Sequence, residues 1–95
     1  MKLLSIKPSE RATKKYVATF NVDDKEKRVH FGSRHSSTYL DNKNEDTRKA
    51  YIARHKIRED FSNPLTAGSL SFHLLWGKTT SLRENIALFK KKFNL

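Results

Sequence analysis

The sequence predicts an α+β fold: a small antiparallel β-meander of two or three strands followed by three helices, forming a single basic domain over residues 1–95. Three observations lead there. Residues 14–31 alternate apolar and polar across a short charged turn, the pattern of a hairpin with one buried face. Beyond residue 44 the apolar spacing changes to the helical period, with Asn44 and Ser81 placed as cap residues. At 95 residues there is room for one hydrophobic core.

Taken in order, Leu3-Leu4-Ser5-Ile6 can form a first strand, ended near Pro8, which cannot donate to a ladder. A lone hairpin is marginal in water, so this strand or a covering helix is physically required. In the next strand Tyr16, Ala18, Phe20 and Val22 share one face. Asp23-Asp24-Lys25-Glu26 reads as the turn. The return strand puts Val29 and Phe31 on the apolar face and His30 on the other. Residues 32–44 are polar, with serines at 33, 36 and 37, and read as a loop pinned by Tyr39 and Leu40. Asn44 or a neighbour can cap a helix running to about Glu59, whose buried side is expected at Ala50, Ala53 and Ile57, with Tyr51 and Ile52 beside them. Asn63-Pro64 is a break. Pro64 suits the first turn of a second helix, over about Leu65 to Trp76. Gly77 then reads as its left-handed terminator. Ser81-Leu82-Arg83-Glu84 is a capping box opening the last helix, with Leu82, Ile86, Phe89 and Phe93 on one stripe.

Composition narrows function. Hydrophobic residues make up 36% and charged residues 32%, a wet chain that still carries ten aromatic side chains for a core. Zero cysteines exclude a disulfide framework, a thiol nucleophile and Cys-ligated zinc. No apolar run approaches the roughly 20 residues of a membrane span, and no leader segment opens the chain, so an intracellular or virion setting is expected. Twenty Lys and Arg against ten Asp and Glu give +10, and the isoelectric point is near 10.1. That excess speaks to partners: nucleic acid, an acidic protein surface or an anionic membrane.

Few residues offer catalysis. His55 and Glu59 stand one helical turn apart, which suits a divalent ion and makes a metal-dependent nuclease one alternative. The competing reading is an ordinary surface ion pair on a charged helix. Glu45 and Lys49 fit another such pair. No phosphate-binding loop, zinc-protease motif, nucleophile elbow or calcium loop is present, so neither a cofactor nor a metal is expected. The candidate polyanion-binding residues are Lys14, Lys15, Arg28, Arg34, Arg54, Lys56, Arg58, Lys90, Lys91 and Lys92. Ten anions cannot pair twenty cations, so the excess faces water or a polyanion. No base-reading motif accompanies it, so binding to DNA or RNA would be nonspecific. Phe72 and Trp76 are the candidate protein-contact residues. For Trp76 the core is the stronger reading, because a small domain needs its largest side chains inside; a contact role is the alternative.

Several phrases, in order, carry a resemblance: Tyr16-Val17-Ala18-Thr19-Phe20, Val29-His30-Phe31-Gly32, Tyr51 through Pro64, Ala67-Gly68-Ser69-Leu70-Ser71 and Leu74-Leu75-Trp76-Gly77-Lys78. Over about residues 14–95 the chain resembles a family of small basic proteins of large nucleocytoplasmic DNA viruses of algae and protists. It departs from them at Phe61, where Trp is expected, and at Phe72-His73, where Arg-Trp is expected. The resemblance implies a virus-encoded accessory or virion component with no enzyme chemistry. The expectation is a non-enzymatic virion structural protein, a minor capsid or internal cement protein docking through basic faces to acidic capsid protein or genome. It would be located in the virion or in the host cytoplasm or nucleus. A soluble nonspecific nucleic-acid-binding accessory protein is the alternative.

Overall fold

Three strands form one antiparallel sheet in the order β1-β2-β3, with β1 over Lys2–Pro8, β2 over Lys14–Val22 and β3 over Lys25–Ser33. This is a computed structural model, and it describes residues 1–35, 37–56 and 61–95. The α+β meander-then-helices architecture predicted from the sequence is the one observed. Among the described residues four helices follow the sheet: α1 over Tyr39–Asn42, α2 over Glu45–His55, α3 over Ala67–Leu70 and α4 over Leu82–Phe93. A π-helical stretch, Ser71–Leu75, continues α3.

Period-two burial in the meander follows the predicted face. Ala18, Phe20 and Phe31 are fully buried, and Tyr16, Val22 and Val29 pack against them. The turn is tighter than expected. Asp23 and Asp24 alone connect β2 to β3, both with positive φ (52° and 65°), the backbone of a two-residue hairpin turn whose twist matches the strands. Asp tolerates that conformation because its short polar side chain can bond locally.

The opposite sheet face is also covered at one end. Val17 and Thr19 are buried there, and His30, opposite Val17, has a side chain only 7% exposed. The β1–β2 connection accounts for it. Ser9 Oγ lies 2.7 Å from His30 Nδ1, and Arg34 donates to the carbonyls of Ser9 (2.8 Å) and Arg11 (3.0 Å), tying that connection to the end of β3.

Four sequence expectations need correction. The stretch read as loop contains α1, held because the Asp41 carboxylate accepts from both the N–H and the hydroxyl of Thr38. In α2 the buried residue is Tyr51, while Ala50 and Ala53 are exposed; the helix turns the larger ring to the core, where it stacks on Trp76 at 4.4 Å and 5°. The second helix begins at Ala67, capped by Thr66, and Pro64 lies before it. Gly77 is no left-handed terminator. It is buried, and a Cβ there would collide with the His73 carbonyl and the Asn85 side chain, so close packing is what requires glycine. Ile57, Arg58 and Glu59 lie outside the described residues.

The caps at Asn44 and Ser81 form as predicted. Asn44 accepts from the N–H groups of Asp46 and Thr47, and Ser81 from that of Glu84; the box at Ser81 is only half formed, because the Ser81 N–H donates to the Thr79 hydroxyl and not to Glu84. In α4 Phe89 is buried with Leu82, Ile86 and Phe93 packed beside it. Asn85 is buried on the same face. Its amide donates to the Leu74 and Thr79 carbonyls, and its oxygen accepts from the Thr79 N–H and hydroxyl. This side chain fixes the 76–81 connection onto α4. Among the described residues no helix is long and apolar enough to cross a membrane.

Candidate functional site

The helical half carries two clefts with different linings. The first, about 560 Å³, opens between the π-helical stretch and α4. Phe72, Leu88 and Phe89 give it an apolar floor, and Lys78, Lys91 and Lys92 stand at its rim. Leu88 is 45% exposed, a large apolar side chain off the buried stripe of α4. No carboxylate lines it among the described residues. Arg48 also reaches this cleft, but its Nε donates to the carbonyls of Trp76 (3.1 Å) and Gly77 (2.8 Å), and its Nη1 meets Glu45 at 3.3 Å. Arg48 therefore belongs to the scaffold of the cleft.

Behind that floor lies an aromatic cluster. Phe61 stacks on Phe72 at 4.1 Å, and the His73 ring packs against Phe72, Phe89 and Phe93. His73 Nε2 donates to the Phe61 carbonyl at 2.9 Å. Burial disfavours the imidazolium and holds the His73 pKa below its ordinary value; the carbonyl bond partly opposes this and Lys92 adds to it.

The second cleft, about 470 Å³, lies where α2, the α3–π segment and the ends of β2 and β3 converge. Hydroxyl groups of Ser33, Ser37, Thr47 and Ser71 line it, with Lys14 and Arg54 as its strong cations. One wall is aromatic: Trp76 stacks on Tyr51, and Tyr51 on His55 at 4.2 Å. No carboxylate lines this cleft among the described residues either. The nearby Asp41 carboxylate is held by Thr38 and by Lys15 at 3.1 Å, and these bonds, the Thr38 N–H first, keep it below its usual range.

The structure divides the predicted polyanion residues. Lys14 and Arg54 meet in the hydroxyl-lined cleft; Lys91 and Lys92 join Phe72 in the apolar one; Lys90 is exposed on the same turn of α4. Lys56 is exposed just past the end of α2, and Arg58 lies outside the described residues. Lys15, Arg28 and Arg34 serve the fold instead, through Asp41, Glu10 (3.0 Å) and backbone carbonyls respectively. Trp76 takes the stronger of its two sequence readings, the core: 7% exposed and stacked on Tyr51, it cannot act as a projecting anchor. The Glu45–Lys49 pair is replaced by contacts of Glu45 with Arg48 and the Tyr39 hydroxyl. Of the His55–Glu59 pair, Glu59 lies outside the described residues. Among those described, no group of three His, Asp or Glu side chains is placed to hold a metal ion. Sequence reasoning missed Leu88 and Lys78. Leu88 had a signal, an apolar residue off the helical stripe on a lysine-rich face.

Residues 4–55 match the model of DUF5754, a family of unknown function, over more than half of the chain. The chain belongs to that family. No curated protein and no solved structure matches it. The DUF5754 segment runs from β1 to the end of α2. It brings Lys14, Thr47 and Arg54 to the hydroxyl-lined cleft, and only Arg48 among the described residues of the apolar one.

Proposed function

We propose that this protein is a non-enzymatic docking protein that holds an acidic protein surface, in the manner of a minor capsid or internal cement protein of a virion. The observation that carries the reading is the apolar cleft: Phe72 and Leu88 inside a rim of Lys78, Lys91 and Lys92, with no described acidic side chain in its lining. Such a site suits an amphipathic segment with acidic residues flanking an apolar stripe. Burying the Leu88 and Phe72 surfaces supplies affinity at about 25 cal/mol per Å² of apolar area, and the lysines select the sign of the partner. The viral setting rests on the resemblance of the sequence to small basic proteins of large DNA viruses.

Nonspecific nucleic-acid binding is less well supported by the sheet. Stacking on single strands needs exposed rings, and here Tyr16 and Phe31 stack on each other on the core face, with Phe31 fully buried.

Fluorescence anisotropy would decide between these readings, using a labelled helical peptide with leucines on one face and glutamates on the other, a polyglutamate control and labelled duplex DNA. The amphipathic peptide should bind more tightly than polyglutamate. Leu88→Ser and the double variant Lys91→Ala, Lys92→Ala should each weaken it about tenfold, roughly the 1.4 kcal/mol of one good contact. Binding of duplex DNA that survives physiological salt, with peptide binding indifferent to Leu88→Ser, would replace this reading with charge-driven nucleic-acid binding.

A further inference from the structure

We propose that the hydroxyl-lined cleft is a second, separate site, which binds the phosphate monoester of a small molecule with Lys14 and Arg54 supplying the positive charge. The inference stands apart from docking, because it concerns different residues on another side of Trp76.

Four features of the cleft converge on that ligand. Its two strong cations come from distant parts of the chain, β2 and α2, and neither side chain makes a hydrogen bond or ion pair among the described residues. Lys15, beside it on β2, is equally half-buried but is paired with Asp41, whereas Lys14 keeps its charge for the cleft. The hydroxyls of the lining residues Ser33, Thr47 and Ser71 likewise make no side-chain hydrogen bond among the described residues, so they have donors to offer a ligand. No carboxylate enters the described lining to repel an anion, and Asp41, bonded to the lining residue Thr38, is paired with Lys15. Arg supplies the planar fork that matches a phosphoryl group, and Lys a point charge.

The cleft has room for a small molecule. A volume of about 470 Å³ falls within the range of pockets that hold compact ligands. The wall formed by Trp76, Tyr51 and His55 offers a flat ring surface against which the body of such a ligand can rest.

The same wall provides the readout. Trp76 is the single tryptophan of the chain and lines the cleft, so occupancy should change its emission. Intrinsic fluorescence would be followed while inorganic phosphate, a nucleoside monophosphate and the matching nucleoside are titrated into the full chain. Saturable changes are expected with phosphate and with the monophosphate, and none with the nucleoside. Tighter binding of the monophosphate would assign the ring wall to its base; equal binding would assign the site to the phosphoryl group alone. Arg54→Ala and Lys14→Gln should each weaken binding at least about tenfold, as expected for loss of a charge-assisted bond. Both positions lie outside the buried core, and far-ultraviolet circular dichroism would verify that each variant is folded. Lys90→Ala removes the same charge from an exposed turn of α4 and should change nothing. The proposal is overturned if neither phosphate compound shifts Trp76 emission saturably. Equal weakening by Lys90→Ala and Arg54→Ala would overturn it as well, because the effect would then come from diffuse charge. Failure here leaves the peptide-docking experiment unaffected, since that one reads Leu88, Lys91 and Lys92.

Discussion

In the meander, Lys15 meets Asp41, Arg28 meets Glu10 and Arg34 closes on two carbonyls; in the helical half, Arg54, Lys56, Lys78 and Lys90 to Lys92 make no hydrogen bond or ion pair among the described residues. Among the described helical cations Arg48 is the exception, bonded to Trp76, Gly77 and Glu45. Both halves carry excess positive charge in the sequence, yet they use it differently. The meander ties Lys15, Arg28 and Arg34 into its own connections, while Lys14 and its other cations, like those of the helices apart from Arg48, make no side-chain bond among the described residues.

That comparison can be broken by substitution. The largest effect belongs to the contacts that let the helical half hold together without its cations. Gly77→Ala would force a methyl group against the His73 carbonyl and Asn85, and should cost about 3 kcal/mol or more in urea unfolding. Asn85→Leu would strand the Thr79 N–H and the Leu74 and Thr79 carbonyls, with an expected loss of about 2–4 kcal/mol in the same measurement. Arg34→Met should cost about 1 kcal/mol by releasing the Ser9–Arg11 connection, whereas Lys91→Ala should leave the urea midpoint unchanged within about 0.5 kcal/mol. An equal loss from both variants would end the distinction between the two halves.

Acid sharpens it further. The folded protein holds His73 below its ordinary 6.5, so the unfolded chain takes up its proton first as pH falls. The contribution of His73 to stability is therefore complete above about 6.5 and is lost as pH drops through the folded value. His30, held down by burial and then by Arg11, acts in the same direction. Urea midpoints measured from pH 7.5 to 5 should decline, and His73→Gln should reduce the slope of that decline. A flat profile would mean that neither ring is held neutral by the fold.

How far the sequence carried depended on whether a feature is local. The face of Tyr16, Ala18 and Phe20 follows from strand period alone, and the caps at Asn44 and Ser81 from neighbouring N–H groups, so these were legible. The buried side of α2 was not: Ala50 and Ala53 satisfy helical spacing, but the stack of Tyr51 on Trp76 sets the rotation, and that contact spans 25 residues. Gly77 was legible as a special position and misread in kind, since a glycine needed for space and one needed for positive φ look identical in sequence. Lys14 and Arg54, forty residues apart, share a cleft only because α2 returns across the strand ends, and no spacing in the chain encodes it.

The π-helical stretch has a consequence for how this half could change. Its bond from the Trp76 N–H to the Ser71 carbonyl spans five residues, one more than an α-turn, so everything after it is rotated by about 100° from where an uninterrupted helix would point it. The angular phase of Trp76 is thereby set by a count of residues and not by their identity. Shortening the stretch by one residue would keep every side-chain type and turn the indole away from Tyr51, opening one cleft wall while the sheet beneath stays intact.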